Sequence, residues 1–268
     1  MPFILVVNWL AVICVYEPMI KENVMADSNT PTRLLVYGGN GFVGSKVLEL
    51  AAIRGAICTS VSRSGKMPAQ LEQLRPLWLN QVTWVVGDAL HPDPLLVASA
   101  DVIVCLVGSP PLPTFNQRAF EQQVMTNGSA NSAVIAEAQR QGVKRLVLLS
   151  AHIPALMRSS RFGYYVGKQQ ACEAAANYTR ASADNTATVI YPSAIYGTRY
   201  TGGGTAIPLG LLMSPVAWLM RRLPVVVSRL LPESPVPLQQ VASSVVDAAM
   251  AADSRGLLVV ENQDLLAV

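Results

Sequence analysis

The chain has 268 residues, enough for one α/β domain with a full core or for two small ones. Its formal charge of +3 is spread along the sequence rather than gathered on one face, which excludes a nucleic-acid-binding role. A hydrophobic fraction of 51% and a mean hydropathy of +0.35 bring membrane contact into consideration.

The first stretch, "MPFILVVNWLAVICVYEP", holds an apolar run from Phe3 to Tyr16. That run is shorter than the roughly 20 residues a spanning helix needs. It lacks a basic n-region and a small-residue cleavage site, so it does not read as a secretory signal. Arg33 is the first arginine, which is unlike a mitochondrial presequence. Three readings stay open: a short membrane anchor, a docking segment, or an upstream extension of a protein whose working start is Met25. Cys14, Cys58, Cys105 and Cys172 show no CxxC or Cys/His spacing, and the two histidines, His91 and His152, exclude a His-rich metal site. Cysteines inside buried strands behave as small hydrophobes, which points to a reducing compartment.

From Arg33, "RLLVYGG" reads as a first strand and "GFVGSKVLELAAIRG" as a helix with Gly55 as its C′ residue. Between them Gly38, Gly39, Asn40, Gly41, Phe42, Val43 and Gly44 form a glycine-rich turn that meets both GxGxxG and GxxGxxG. In that context glycine lets the turn close, brings backbone up to a pyrophosphate and lets the helix pack tightly, with its N-terminus toward the phosphates. "AICTSVSRSG" is strand two. An acid at its end would hold the ribose hydroxyls of NAD, but Ser62, Arg63 and Ser64 stand there. A guanidinium pairs with a phosphate, so NADP(H) is preferred and NAD(H) remains an alternative.

"QVTWVVGDAL" is strand three. Asp88, followed by Ala89, either receives hydrogen bonds from an adenine amino group or caps the next turn. "DVIVCLVG" is strand four, ending on Gly108, where a cofactor can pass close to the backbone. After the turn "SPPLP", a helical pattern runs from about Asn116 to Gln141, and "VKRLVLLSA" is strand five. The next helix carries "GYYVGKQQACEAAANY" and puts Tyr164 and Lys168 at i, i+4 on one face. An ammonium beside a phenol lowers its pKa and favours a general base. "TATVIYPSAIYG" is strand six.

The segment after Gly197 reads as an irregular cap. Pro208, Pro215, Pro224 and Pro232 interrupt it, while Val216, Leu219, Met220 and Leu223 share one helical face with Arg221 and Arg222 at its edge. It packs over the end of the sheet, or it lies on a membrane surface or lines a lipid- or quinone-facing groove. The alternation of strands and helices predicts a doubly wound parallel sheet. Residues 1–32 are a hydrophobic extension and lead-in; residues 33–268 are a single dinucleotide-binding domain with its cap after 197.

The motifs "GGNGFVG", "GDAL", "NGSANSAVIAEAQRQGVKRLVLLSA", "YYVGK" and "YPSAIYG" together resemble the short-chain dehydrogenase/reductase superfamily, in its extended and atypical, epimerase/dehydratase-like branch. The resemblance spans about residues 33–265. It implies a Rossmann domain that binds NAD(H) or NADP(H), with a Ser–Tyr–Lys set that moves a proton beside hydride transfer. Tyr164 is then the acid/base, Lys168 positions the nicotinamide ribose, and Asn127, with Gly128 and Asn131, matches the family's helix-four pattern. Tyr191, Pro192 and Ser193 fall near the nicotinamide end. The departure is at the serine: Ser150 is followed by Ala151 and His152, so Ser150 stands early, and His152 is either a hydrogen-bond donor in its place or a structural loop histidine.

Within the branch, "GYYVGKQQACEAAA", "YPSAIYGTR" and the apolar cap are similar to the group containing the NAD(P)-binding accessory subunit of respiratory complex I and the coenzyme Q-associated Rossmann proteins. That group implies attachment to a membrane assembly: at the matrix side of the mitochondrial inner membrane in a eukaryote, or in the cytoplasm or at the membrane periphery in a bacterium. The expected partners are a nucleotide cofactor, a small or lipid-like substrate, and a membrane surface or the subunits of a membrane complex. Two functions follow: an oxidoreductase, or a non-catalytic nucleotide-binding subunit.

Overall fold

The apolar runs beginning at Arg33 become the strands of one parallel sheet. The computed structural model describes residues 30–112, 116–200, 206–208, 233–252 and 254–267. Strands β1 (Arg33–Tyr37), β2 (Ile57–Ser62), β3 (Val82–Val86), β4 (Val102–Cys105), β5 (Arg145–Leu149), β6 (Thr186–Ile190) and β11 (Gly256–Val260) lie in the order β11-β6-β5-β4-β1-β2-β3. The described residues from Pro31 onward form one compact unit, a Rossmann-like single domain. The apolar N-terminal run and the cap residues 209–232 lie outside the described residues.

Side-chain alternation sorts the strands into two apolar layers. Leu34 and Val36 of β1 face α1 (Phe42–Ile53) and α7 (Leu238–Met250), packing with Val47, Leu48, Val241 and Val245. Leu35 and Tyr37 face α5 (Ala130–Arg140) and α6 (Gly163–Ala181), packing with Val134, Ile135, Ala171 and Tyr178. Because both faces are covered, these strands read as continuous hydrophobic runs. Cys58 and Cys105 are buried within the layers as free thiols.

Gly55 closes α1 with φ +84°; its N–H donates to Ala52 O at 2.9 Å and that of Ala56 to Ala51 O at 3.0 Å, as the sequence predicts. The short helices α2 (Ala69–Leu74) and α3 (Pro94–Ala98) follow β2 and β3. The long predicted helix is present but not uniform: α4 (Gln117–Val124) and α5 flank a π-helical turn, Met125–Ser129. Asn116 caps its start, Oδ1 accepting from Ala119 N–H at 2.8 Å. The π turn brings backbone against α6, where a Cβ on Gly128 would stand 2.9 Å from Gly167 Cα. Small pairings complete the architecture: β7 (Ile195–Tyr196) with β10 (Val236–Pro237), and β8 (Thr198–Tyr200) with β9 (Ala206–Pro208). α8 (Asn262–Leu266) ends the described chain.

β1 lies between β2 and β4, so the chain winds outward one way through β2 and β3 and then the other way through β4 to β6. That reversal leaves a crevice at the carboxyl ends of β1 and β4, where open α/β sheets bind ligands.

Candidate functional site

The glycine turn sits at this crevice. Gly38 follows β1 with φ +88°, and a Cβ there would meet Leu106 C and O at 3.0 Å on the neighbouring loop after β4. Gly44, in the first turn of α1, lies so close to the loop that a Cβ would fall 2.2 Å from Gly38 O and 2.7 Å from Gly39 Cα. The first bond of α1 runs from Ser45 N–H to Gly41 O at 3.0 Å. The amides of Phe42, Val43 and Gly44 therefore have no intrahelical acceptor and form an anion-binding end.

After β2, Ser62 Oγ accepts from Gly65 N–H at 3.1 Å, and Ser64 Oγ accepts from Asn40 Nδ2 at 3.4 Å and from Lys66 N–H at 3.3 Å. These bonds tie the β2 loop to the glycine turn. Arg63 is exposed and has no hydrogen-bond partner among the described residues. After β3, Asp88 Oδ1 accepts from Leu90 N–H at 3.0 Å, so this carboxylate caps its own turn, while Ala89 packs against the α5–α6 layer. An open cleft of about 1150 Å³ runs beside the turn on the α1 side, lined in part by Asn40, Phe42, Lys46, Ser64 and Lys66. Tyr164 and Lys168 do not line it, because they belong to α6 on the opposite face of the sheet.

Gly108, after β4, faces the other half of the crevice: a Cβ there would stand 3.2 Å from Asn127 Oδ1 and 3.7 Å from Lys168 Nζ. Asn127, in the π turn, is buried and fully engaged. Its Oδ1 accepts from Ser109 N–H at 3.1 Å, and its Nδ2 donates to Ser109 Oγ at 2.8 Å and Gln123 O at 2.9 Å. Asn131 Nδ2 donates to Val107 O at 2.9 Å. Together these amides pin the strand-four loop to the helix.

Tyr164, Lys168 and Cys172 follow one another at four-residue steps along α6. Lys168 is buried; its Nζ donates to Leu149 O at 2.8 Å and lies 5.8 Å from the centre of the Tyr164 ring. The expectation that this ammonium lowers the Tyr164 hydroxyl is not met. Its hydrogen bond goes to the β5 backbone, and burial pushes the Tyr164 phenol up from 10.0 to about 12. Tyr164 is thus protonated at neutral pH.

Burial drives Lys168 the other way, from 10.5 down to about 8. The unfolded chain keeps that proton to near 10.5, so between about pH 8 and 10.5 the unfolded state binds more protons, and this contribution to stability grows as pH rises. Lys168→Met abolishes the dependence. Relative to the variant, the unsubstituted chain is expected to gain about 3 kcal/mol across that window, read from denaturant midpoints. A difference that stays flat with pH refutes the assignment.

The remaining predicted residues separate into two groups. Ser150, at the end of β5, is buried with its Oγ 3.2 Å from Cys172 Sγ, and Tyr191 OH donates to the same sulfur at 3.3 Å. His152 turns away: its N–H donates to Pro192 O at 2.8 Å and its Nδ1 stands 3.4 Å from Glu233 Oε1. Ser193 Oγ donates to Ser234 O at 2.6 Å, and its N–H to Asn262 Oδ1 at 2.7 Å. Sequence reasoning passed over Cys172, Gln123 and Glu233. Cys172 carried a signal, its i+4 spacing from Lys168. Gln123 stands at i−4 from Asn127, and its Oε1 accepts from Tyr164 N–H at 3.0 Å. Glu233, 81 residues from His152 along the chain, carried none. No cluster of metal-ligating side chains occurs among the described residues, and no described helix is long and apolar enough to cross a membrane.

A family model described as NAD(P)H-binding matches residues 38–210. An uncharacterized chloroplastic protein of Arabidopsis thaliana is 32% identical over 245 residues, covering 85% of this chain and 75% of that protein. MIOREX complex component 2 of Saccharomyces cerevisiae is 41% identical over 61 residues, 23% of this chain and 22% of that one. Among solved structures, Gre2 of Candida albicans in complex with NADPH superposes with a TM-score of 0.61 at 14% identity, covering 86% of this chain and 78% of that one. A likeness at that identity shows a shared fold.

Proposed function

The chain belongs to the NAD(P)H-binding family, and from that premise we propose that it is an NADP(H)-dependent oxidoreductase with Tyr164 as its proton donor. The observation that carries this reading is the placement of Tyr164 and Lys168 on one face of α6, with Lys168 anchored on Leu149 O beside Gly108 in the crevice the glycine turn opens.

The cradle around Gly38 and Gly44, which a Cβ would fill, suits a dinucleotide. In this reading the amides of Phe42, Val43 and Gly44 hold the pyrophosphate, Ser62, Arg63 and Ser64 surround the adenosine ribose, and Lys168 meets the nicotinamide ribose. When bound, the reduced cofactor supplies a hydride to a substrate carbonyl carbon. Tyr164, protonated at neutral pH, gives its hydroxyl proton to the carbonyl oxygen, completing an alcohol.

The cofactor preference rests on Arg63, where no carboxylate opposes a 2′-phosphate. Arg63→Ala is expected to weaken NADPH by tenfold or more while leaving NADH nearly unchanged, as titrated by cofactor fluorescence. Equal losses for both cofactors remove the preference.

A second reading is a nucleotide-binding subunit of a respiratory or ubiquinone-biosynthesis assembly at a membrane, held there by the apolar residues 207–232. It is favoured by Ser150 and His152, which spend their polar atoms on Cys172 and Glu233 rather than beside Tyr164. The likeness over 61 residues to a protein named as a component of the MIOREX complex supports a subunit role and no more. A bound nucleotide at 100 times its Kd then contributes about 2.7 kcal/mol to the fold. Co-sedimentation with membranes that resists high salt and needs residues 207–232 supports this reading; a protein that stays in the supernatant counts against it.

A further inference from the structure

α6 begins without a cap of its own. Phe162, at its N-cap, is extended and offers no side-chain acceptor, and the first intrahelical bond runs from Val166 N–H to Phe162 O at 3.1 Å. The amides of Gly163, Tyr164 and Tyr165 therefore have no acceptor within the helix. The Tyr164 amide is served from another helix: Gln123 of α4, 41 residues earlier, accepts it on Oε1 at 3.0 Å. The other end of the same side chain, Nε2, donates to Leu112 O at 2.7 Å in the loop after β4. Gln123 is 8% exposed, so water does not compete for either bond.

We propose that Gln123 is the positioning residue of Tyr164: its amide fixes the start of α6 against the loop after β4, and with it the place of the phenol in the crevice. For its kinetic consequence this inference rests on the reading of Tyr164 as proton donor.

The residue type follows from the two partners. The Tyr164 amide demands an oxygen and Leu112 O demands an N–H, and a single glutamine amide meets both. A carboxylate has no donor for Leu112 O, and a hydrocarbon leaves both backbone groups buried and unpaired. The close approach that lets Gln123 reach across comes from two glycines at i, i+4 on α6. A Cβ on Gly163 would stand 2.6 Å from Phe120 O and 3.2 Å from Gln123 Cβ; one on Gly167 would stand 3.0 Å from Asn127 Cβ and 3.2 Å from Gln123 O. Asn127, four residues on, accepts from Ser109 N–H at 3.1 Å and donates to Gln123 O at 2.9 Å. The two side chains thus hold the loop at Ser109 and at Leu112, and Gln123 carries that hold to the residue bearing the phenol.

The test uses NADPH with 4-nitrobenzaldehyde as the carbonyl probe. In parallel samples, 4-fluorophenylalanine in place of Tyr164 reports the ring's surroundings by fluorine NMR. Gln123→Leu is expected to lower kcat about hundredfold, the cost of misplacing a reacting group by about 1 Å. The Kd for NADPH stays unchanged, because Asn127 still holds Ser109 beside Gly108, and the fluorine line moves. Gln123→Glu is the rescue, since burial pushes its carboxyl up. Protonated at about pH 5, it accepts from Tyr164 N–H and donates to Leu112 O as glutamine does, so kcat and line match the unsubstituted chain at that pH. Ionised at about pH 9, it repels Leu112 O, and both match Gln123→Leu. If Gln123→Leu does not fold, the pH dependence of Gln123→Glu decides.

A fluorine line that Gln123→Leu leaves in place overturns the proposal. So does a lowered unfolding midpoint with kcat and line unaltered, or a Gln123→Glu variant indifferent to pH. A line that moves as expected in a protein without turnover supports the anchoring of Tyr164 and counts against the proton-donor reading alone.

Discussion

Gly44→Ala is expected to abolish binding of NADH and NADPH alike and to lower the unfolding midpoint. The added Cβ would lie 2.2 Å from Gly38 O and 2.7 Å from Gly39 Cα. Both are backbone atoms of the turn, so no side chain can rotate to make room. Either α1 moves away from β1, uncovering Leu48 and Ala51, or the turn opens and the pyrophosphate loses its amides. Overpacking of this kind costs about 1–3 kcal/mol and more where backbone must shift. Gly55→Ala is the control. Gly55 has φ +84° with nothing within 4 Å, so alanine there incurs only the left-handed strain of about 1–2 kcal/mol. Calorimetric titration should find Gly55→Ala binding both cofactors normally and Gly44→Ala binding neither. Retained affinity in Gly44→Ala refutes the glycine turn as the dinucleotide grip.

Tyr164→Phe carries the second large effect. Loss of a positioned proton donor lowers turnover by about 10²–10⁴-fold, and the change should fall on kcat with cofactor affinity intact. The phenol makes no hydrogen bond among the described residues, so its removal leaves the fold undisturbed and the unfolding midpoint unchanged. The direction of reaction adds a second readout. With the Tyr164 phenol at about 12, carbonyl reduction in the unsubstituted protein is independent of pH through neutrality, while alcohol oxidation rises about tenfold per unit as tyrosinate accumulates. If Tyr164→Phe leaves biological function whole while Gly44→Ala destroys it, the nucleotide is held and not used, and the subunit reading stands.

Much of this architecture was legible in residue order, and its gaps have physical causes. The strand runs at Arg33, Val102 and Arg145 announced themselves because both sheet faces are covered, leaving no polar alternation to confuse the pattern. The helix from Asn116 was foreseen, but its π turn was not, since the extra residue is absorbed by contacts with α6, more than thirty residues away. β11, GLLVV, is an apolar run of the same kind that the sequence reading did not take as a strand. Asp88 remained ambiguous between ligand and cap until the Leu90 amide was found on its carboxylate.

By itself the amino-acid sequence determined the parallel α/β order, the glycine turn between β1 and α1, and the i, i+4 juxtaposition of Tyr164 and Lys168. All of these are local, set by side-chain periodicity and backbone freedom within a few residues. Tertiary structure alone decided what those groups become. It sent the Lys168 hydrogen bond to Leu149 O rather than to the phenol, turned Ser150 onto Cys172, drew His152 to Glu233, and left β11 uncovered. The reason is that proton affinity and hydrogen-bond choice depend on desolvation and on partners from distant strands, which residue spacing does not encode.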